Sequence, residues 1–160
     1  MPARNEQKNT KGKEIMAYIR DILNAKDKTV YSISPEATVF DALSLMSEKS
    51  IGALMVMDGD KVLGIISERD YARKIILKGK TSKETLVKEV MSSQLFQVKP
   101  GNTVEECMVL MTGKHVRHLP VFDEGGFVGI VSIGDVVKAI ISHQEFLIDQ
   151  LSNYISGEYR

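Results

Sequence analysis

The heptapeptides GIISERD (64–70) and GIVSIGD (129–135) share one frame: Gly, two aliphatic residues, Ser, two variable residues, Asp. They stand 65 residues apart. Sliding the chain by that offset lays residues 35–76 on residues 100–141 without a gap. Fifteen of the 42 columns are identical, among them Pro35/Pro100, Thr38/Thr103, Met46/Met111, Gly64/Gly129, Ser67/Ser132 and Asp70/Asp135. So dense a match marks a tandem duplication. A unit this short buries too little apolar surface alone, so the two copies are expected to pack on each other.

Each copy has the same pattern. A short strand (30–33; 95–98) runs into a Pro turn. A capping box then opens a helix at Thr38 and at Thr103. Its apolar face reads Val39, Leu43, Met46 in the first copy and Val104, Met108, Met111 in the second. A hairpin follows, turning at Asp58-Gly59 or at DEGG (123–126), and a second helix starts after the Ser of the repeated frame. The fold class predicted is α+β, two β-α-β-β-α repeats packed as a pseudo-symmetric pair.

Four segments follow. Residues 1–13 are polar and expected to be disordered; 14–80 carry the first repeat and 81–142 the second; 143–160 extend the last helix, which Gly157 ends. Residues 14–23 place Ile15, Ile19 and Leu23 on one helical face that docks on the core. Val87, Val90 and Met91 line a short helix between the copies. Leu147, Leu151 and Tyr154 align along the extension and suit either a homodimer contact or a cap on the module's own core.

Composition narrows the classes. Lys plus Arg and Asp plus Glu both number 21, which argues against a dedicated nucleic-acid binder. The basic residues between Arg69 and Lys83 have only Tyr71 as a stacking aromatic and read as a solvated face. The single cysteine, Cys107, allows no intrachain disulfide and fits a reducing cytosol. The first residues show no apolar signal segment, and no apolar run is long enough to span a membrane. Cys107, His115, His118 and His143 make neither a nucleophile pair nor a metal-ligand pattern, so no enzyme and no metal are expected.

Ser-x-x-Asp at a strand-to-helix junction is first of all an N-cap motif. The same geometry also serves a ligand. The carboxylate of Asp70 or Asp135 can accept from a ribose diol, and a helix N-terminus with basic neighbours suits a phosphate. Both readings stay open on spacing alone.

The two heptapeptides, each preceded by a hairpin, resemble the signature of cystathionine-β-synthase (CBS) domains. HVRHLPVFDEGGFVGIVSIGDVVKAI (115–140) resembles the second domain of a CBS pair, and LVKEVMSSQLFQVKPGNTVEEC (86–107) its usual entry. SERDYARKI (67–75) is similar to stand-alone bacterial CBS-pair proteins. The resemblance spans residues 17–142. It implies two clefts that bind an adenosine compound, AMP foremost, with ADP, ATP, NAD(H) or S-adenosylmethionine as alternatives. It assigns Asp70 and Asp135 to ribose, and Ser67 and Ser132 to ribose or phosphate. Arg69 takes a phosphate-facing place whose counterpart, Gly134, offers only backbone. Arg117 and His118 form a phosphate-reaching pair, assigned to the Asp135 cleft because Gly52 and Ala53 stand in its place in copy one. Val98, Pro100 and Leu119 are the expected adenine slot of one cleft. The function expected is a cytoplasmic energy or redox sensor: a homodimer that changes shape and signals to an effector protein the sequence does not name. A ligand-free scaffold is the alternative.

Overall fold

The computed structural model describes residues 16–27 and 29–157. The expectations for residues 1–13 and for Ile15 lie outside them. The elements are α1 (Ile19–Ala25), β1 (Ser32–Ile33), α2 (Val39–Lys49), β2 (Ala53–Asp58), β3 (Lys61–Ser67), a helical run from Glu68 to Lys78 that opens as α3 (Glu68–Asp70), α4 (Val87–Val90), α5 (Val104–Lys114), β4 (His118–Asp123), β5 (Gly126–Ser132) and α6 (Ile133–Ser156). The α+β class and the tandem β-α-β-β-α repeat are both present.

Each repeat builds one small sheet. β1 pairs in parallel with β2, which pairs antiparallel with β3. In the second repeat β4 and β5 make the same hairpin. The expected strand at 95–98 shrinks to one parallel bridge, Val98 to Val121, the place that Ile33 to Val56 holds in the first repeat. Likewise only Ser32 and Ile33 of 30–33 are strand. Both segments are edge chains that need only two or three bonds to turn the backbone into the following helix.

α2 and α5 start as the capping boxes dictate: Thr38 and Thr103 accept from the N–H groups of Asp41 and Glu106 at 3.1 Å. Both end on a residue with left-handed backbone, Ser50 (φ 54) and His115 (φ 56), again 65 apart. Their buried faces are Val39, Ala42, Met46 and Val104, Cys107, Met111. The middle position is thus Ala42 and Cys107 rather than Leu43 and Met108, because a small side chain there lets the helix settle close on its sheet. Met108 is exposed.

The two cores do not follow chain order. Ile19 and Ile22 of α1, which precedes the first repeat, are buried with Val98, Val104, Leu119 and Val131 of the second. Val87 and Val90 of α4, which precedes the second repeat, are buried with Val39, Leu54 and Ile66 of the first. Backbone bonds fasten both exchanges: Ile19 N–H to the Asn102 carbonyl and Val104 N–H to that of Ala17, Val87 N–H to that of Ala37 and Val39 N–H to that of Thr85, all 2.8–3.0 Å. Each repeat therefore completes its core with a helix from the segment ahead of its partner.

α6 runs 24 residues and ends at Gly157 in left-handed geometry, as the sequence leads one to expect. Only Val136 and Ala139 are buried along it. Val137, Ile141, Leu147, Ile148, Leu151, Tyr154 and Ile155 are exposed.

Candidate functional site

The repeated frame takes different local shapes in its two copies. In the second, Ser132 Oγ accepts from the Asp135 N–H (3.2 Å) and Asp135 Oδ2 accepts from the Ser132 N–H (2.9 Å), a full capping box. In the first, the Ser67 hydroxyl donates to Asp70 Oδ2 (3.2 Å), which also accepts from the Ser67 N–H (2.8 Å). Ser67 is therefore not the acceptor cap expected of it. The helix it starts is regular for one turn only, then widens to a π turn over Tyr71–Ile75. Such turns rephase the side chains that follow them. Lys74 reaches back to Asp70 Oδ1 (3.0 Å) and donates to the Val90 carbonyl (2.7 Å).

Asp70 borders a cavity of about 640 Å³ where the repeats meet. Ser67, Arg69, Asp70, Arg73 and Lys74 form one wall, residues 92–96 a second, and residues 115–118 with Pro120 a third. Its apolar lining is Ile65, Leu95, Phe96, Val116, Pro120 and Ile133. A second cavity, about 300 Å³, lies at the equivalent edge of β5 and is lined by Lys26, Val30, Pro100, Val128 and Ile130 among others.

This placement corrects the sequence reading at three points. Arg117 and His118 line the Asp70 cavity, not one with Asp135. The pairing of the repeats crosses them over: a methyl built on Gly52 would meet the His118 ring at 3.6 Å, an ordinary van der Waals contact, so Gly52 and His118 are neighbours across the repeats. Ser67, Arg69 and Asp70 of one expected cleft thus share a single cavity with Arg117 and His118 of the other. Second, Val98 and Leu119 are buried in the second core and face neither cavity, while Pro100 lines the smaller one. The alternation that places Leu119 inward turns Pro120 and His118 outward. Third, Ser132, Gly134 and Asp135 line neither cavity. Arg73 and His115, which also line it, are among the basic neighbours the sequence offers a phosphate; Lys74 and residues 92–96 were missed, and for 92–96 the sequence carries no signal beyond following the exchanged helix α4.

The cavity lining sets Arg69, Arg73, Lys74 and Arg117 against Glu68 and Asp70 and is net positive. Arg117 and Arg73 beside Arg69 push its pKa below the ordinary arginine value. Like charges are gathered there against mutual repulsion, which an anion would relieve. Burial lowers the pKa of His118, Asp135 raises it, and Lys26 and Arg117 lower it further, for a net fall below the ordinary 6.5. The unfolded chain then takes up a proton that folded His118 resists. Stability of the ligand-free protein is therefore expected to fall as pH drops below about 6.5. Thermal melts across that window check this, and His118→Gln should flatten the slope; an unchanged slope removes His118 as its cause.

Burial pushes the Cys107 thiol up to about 11, so it is a packed apolar group and not a nucleophile. Among the described residues no three His, Cys, Asp or Glu side chains gather as a metal site, and no helix is long and apolar enough to cross a membrane.

The CBS domain profile matches residues 19–77 and 87–142. The chain is 36% identical over 163 residues to a mitochondrial CBS domain-containing protein, CBSX3, of Arabidopsis thaliana, covering 99% of this chain and 79% of that one. A CBS-domain protein from Burkholderia ambifaria superposes with a TM-score of 0.77 at 47% identity, over 79% of this chain and 96% of that one. A hexameric CBS-CP12 protein from bloom-forming cyanobacteria superposes with a TM-score of 0.66 at 29% identity, over 78% and 71%. CBS pairs are generally regulatory modules that bind adenosine compounds and commonly assemble into oligomers. The duplicated frame, the exchanged helices and these matches agree: this chain is a CBS-domain protein, a tandem pair of the stand-alone kind found in bacteria.

Proposed function

We propose that the chain is a non-catalytic regulatory module that binds an adenosine nucleotide in the Asp70 cavity, with AMP foremost and ADP, ATP or NAD(H) as further candidates. One observation carries this reading. A single cavity of about 640 Å³ joins a carboxylate, a cluster of Arg69, Arg73, Arg117 and His118, and an apolar wall. Those are the three groups a nucleoside phosphate needs: an acceptor for the ribose diol, charge for the phosphate, and a dry slot for the base. The volume lies in the range of small-ligand sites. The walls come from both repeats, so a ligand that touches both favours one relative arrangement over others. A partner protein in the cytoplasm would read that change.

The test is mass spectrometry of small molecules released from the natively purified protein, followed by thermal melts with adenosine and guanosine nucleotides. An adenosine compound released from the protein, and larger melting shifts with adenine than with guanine, are expected. Equal shifts with both bases would show that phosphate alone is bound. No shift with any nucleotide leaves the scaffold reading, for which the exposed apolar face of α6 is the supporting observation.

A further inference from the structure

The Asp70 carboxylate does not meet the larger cavity alone. Its side chain is only 13% exposed, and Oδ2 already accepts from the Ser67 N–H and hydroxyl. The ammonium of Lys74 stands 3.0 Å from Oδ1, and its side chain is 42% exposed. Both residues line the cavity, so most of the accessible surface of this ion pair belongs to Lys74.

The fold brings Lys74 there by a local departure from the repeat. The matching residue of the second copy, 65 positions on, is Ala139, fully buried in a regular α-helix. An ammonium in that place would lie in an apolar core, at a high desolvation cost. The first copy instead widens to a π turn over Tyr71–Ile75, and the buried position moves one residue on, to Ile75. Lys74 is thereby turned to the cavity, where it also donates to the Val90 carbonyl at the end of α4 (2.7 Å). Single π turns of this kind are frequent at functional sites.

The hydrogen-bonding capacity left on the pair fits a sugar. A carboxylate oxygen offers two acceptor positions and an ammonium three N–H donors. Oδ2 has both positions taken and Oδ1 one, by Lys74, while the ammonium has used two donors, on Asp70 and on Val90. One acceptor and one donor therefore remain, on groups 3.0 Å apart. Two vicinal hydroxyls present the complement: one donates its hydrogen, and the oxygen of the other accepts. The carboxylate by itself lacks the positions to accept from both hydroxyls of a diol while it keeps Ser67 and Lys74.

We propose that Lys74 is a sugar-binding residue: Asp70 accepts from one hydroxyl of a nucleotide's ribose while Lys74 donates to the oxygen of the neighbouring one. The proposal rests on the nucleotide reading of the Asp70 cavity. It separates Lys74 from the phosphate-facing set of Arg69, Arg73 and Arg117. It also makes this diol contact a property of the first repeat, since Ala139 offers no side-chain donor.

The experiment is calorimetry of AMP and of 2′,3′-dideoxy-AMP, which keeps the base and the phosphate but lacks the diol, with the full chain, Lys74→Gln and Lys74→Met. The parent is expected to bind AMP at least about ten-fold more tightly than the dideoxy compound, through two charge-assisted bonds. Lys74→Met is expected to narrow that ratio several-fold, and Lys74→Gln, which keeps an N–H donor, to fall in between. A change in charge around the phosphate moves both ligands together and leaves the ratio alone. Lys74→Gln decides the matter should Lys74→Met fold poorly. A ratio unchanged in the folded variants overturns the proposal and makes Lys74 a phosphate contact or a structural tie. A ratio that widens also overturns it, because Lys74 would then be a cover on Asp70. A parent that binds both compounds equally overturns it while the nucleotide reading stands. A parent that binds neither removes the nucleotide reading itself, and the proposal with it.

Discussion

Asp70→Ala is expected to weaken AMP binding by about ten- to a hundred-and-fifty-fold, the loss of charge-assisted hydrogen bonds worth roughly 1.5–3 kcal/mol. The carboxylate is placed for this by its own helix. Oδ2 is held by the Ser67 N–H and hydroxyl, Oδ1 by Lys74, and the group remains on the cavity wall beside Arg69. Asp70→Asn keeps one carbonyl oxygen and should be milder. Calorimetry on the folded variants reads the effect. Asp70 also caps its helix, so melting temperature is measured alongside; a fall in stability without a fall in affinity would reduce Asp70 to a cap. Asp135→Ala, whose side chain lines neither cavity, should leave AMP affinity nearly unchanged while removing an ion pair and a cap from α6.

Leu151→Glu is expected to turn a homodimer into a monomer. We infer the dimer from α6. Val137, Ile141, Ile148, Leu151 and Ile155 follow one another at spacings of four, seven, three and four residues and are all exposed. That is the seam of a helix pair, with Gln144 at its one polar position. It runs beside the stripe of Leu147, Leu151 and Tyr154 read from the sequence and shares Leu151 with it. Burying a side chain of this size is worth about 1.5–3 kcal/mol, and a symmetric pair meets each substitution twice. Residues so exposed in the chain can be changed without disturbing its core. Light scattering should show the parent mass halved by Leu151→Glu and by truncation after Ser142. A dimer that survives both changes would place the contact on the repeats instead.

Both predictions start from features visible in the sequence, but with different amounts of help. The fold was legible because it is written twice: a frame repeated at 65 residues carries its capping boxes, hairpins and small helix-face residues in both copies. Ser67 and Asp70 could be singled out from residue type and spacing, and Arg69, Arg117 and His118 from the family resemblance. Their grouping could not. The sequence pairs each basic residue with the carboxylate of its own repeat, since nothing in a linear repeat says that the copies cross. The apolar slot failed for a related reason. Val98 and Leu119 have the right chemistry, but strand alternation points them into the core and leaves Pro120 on the wall.

What the sequence by itself determined is local: where helices start and stop, which strand pairs turn back, and that two like units must share a core. Neighbouring residues decide these through capping bonds, turn geometry and periodic burial, so one copy suffices to read them. Tertiary structure alone decided the exchange of α1 and α4, the gathering of Arg69 and Arg117 beside Asp70, and the ion pair of Lys26 with Asp135. These depend on contacts across more than 40 residues of chain, up to the 109 between Lys26 and Asp135. They arise only when two apolar faces are buried against each other, and the hydrophobic driving force for that burial is non-directional. Which polar side chains meet at the edge follows from the packing geometry: the Ile130 carbonyl meets the Lys26 ammonium where the Ile65 carbonyl meets the Ser92 amide.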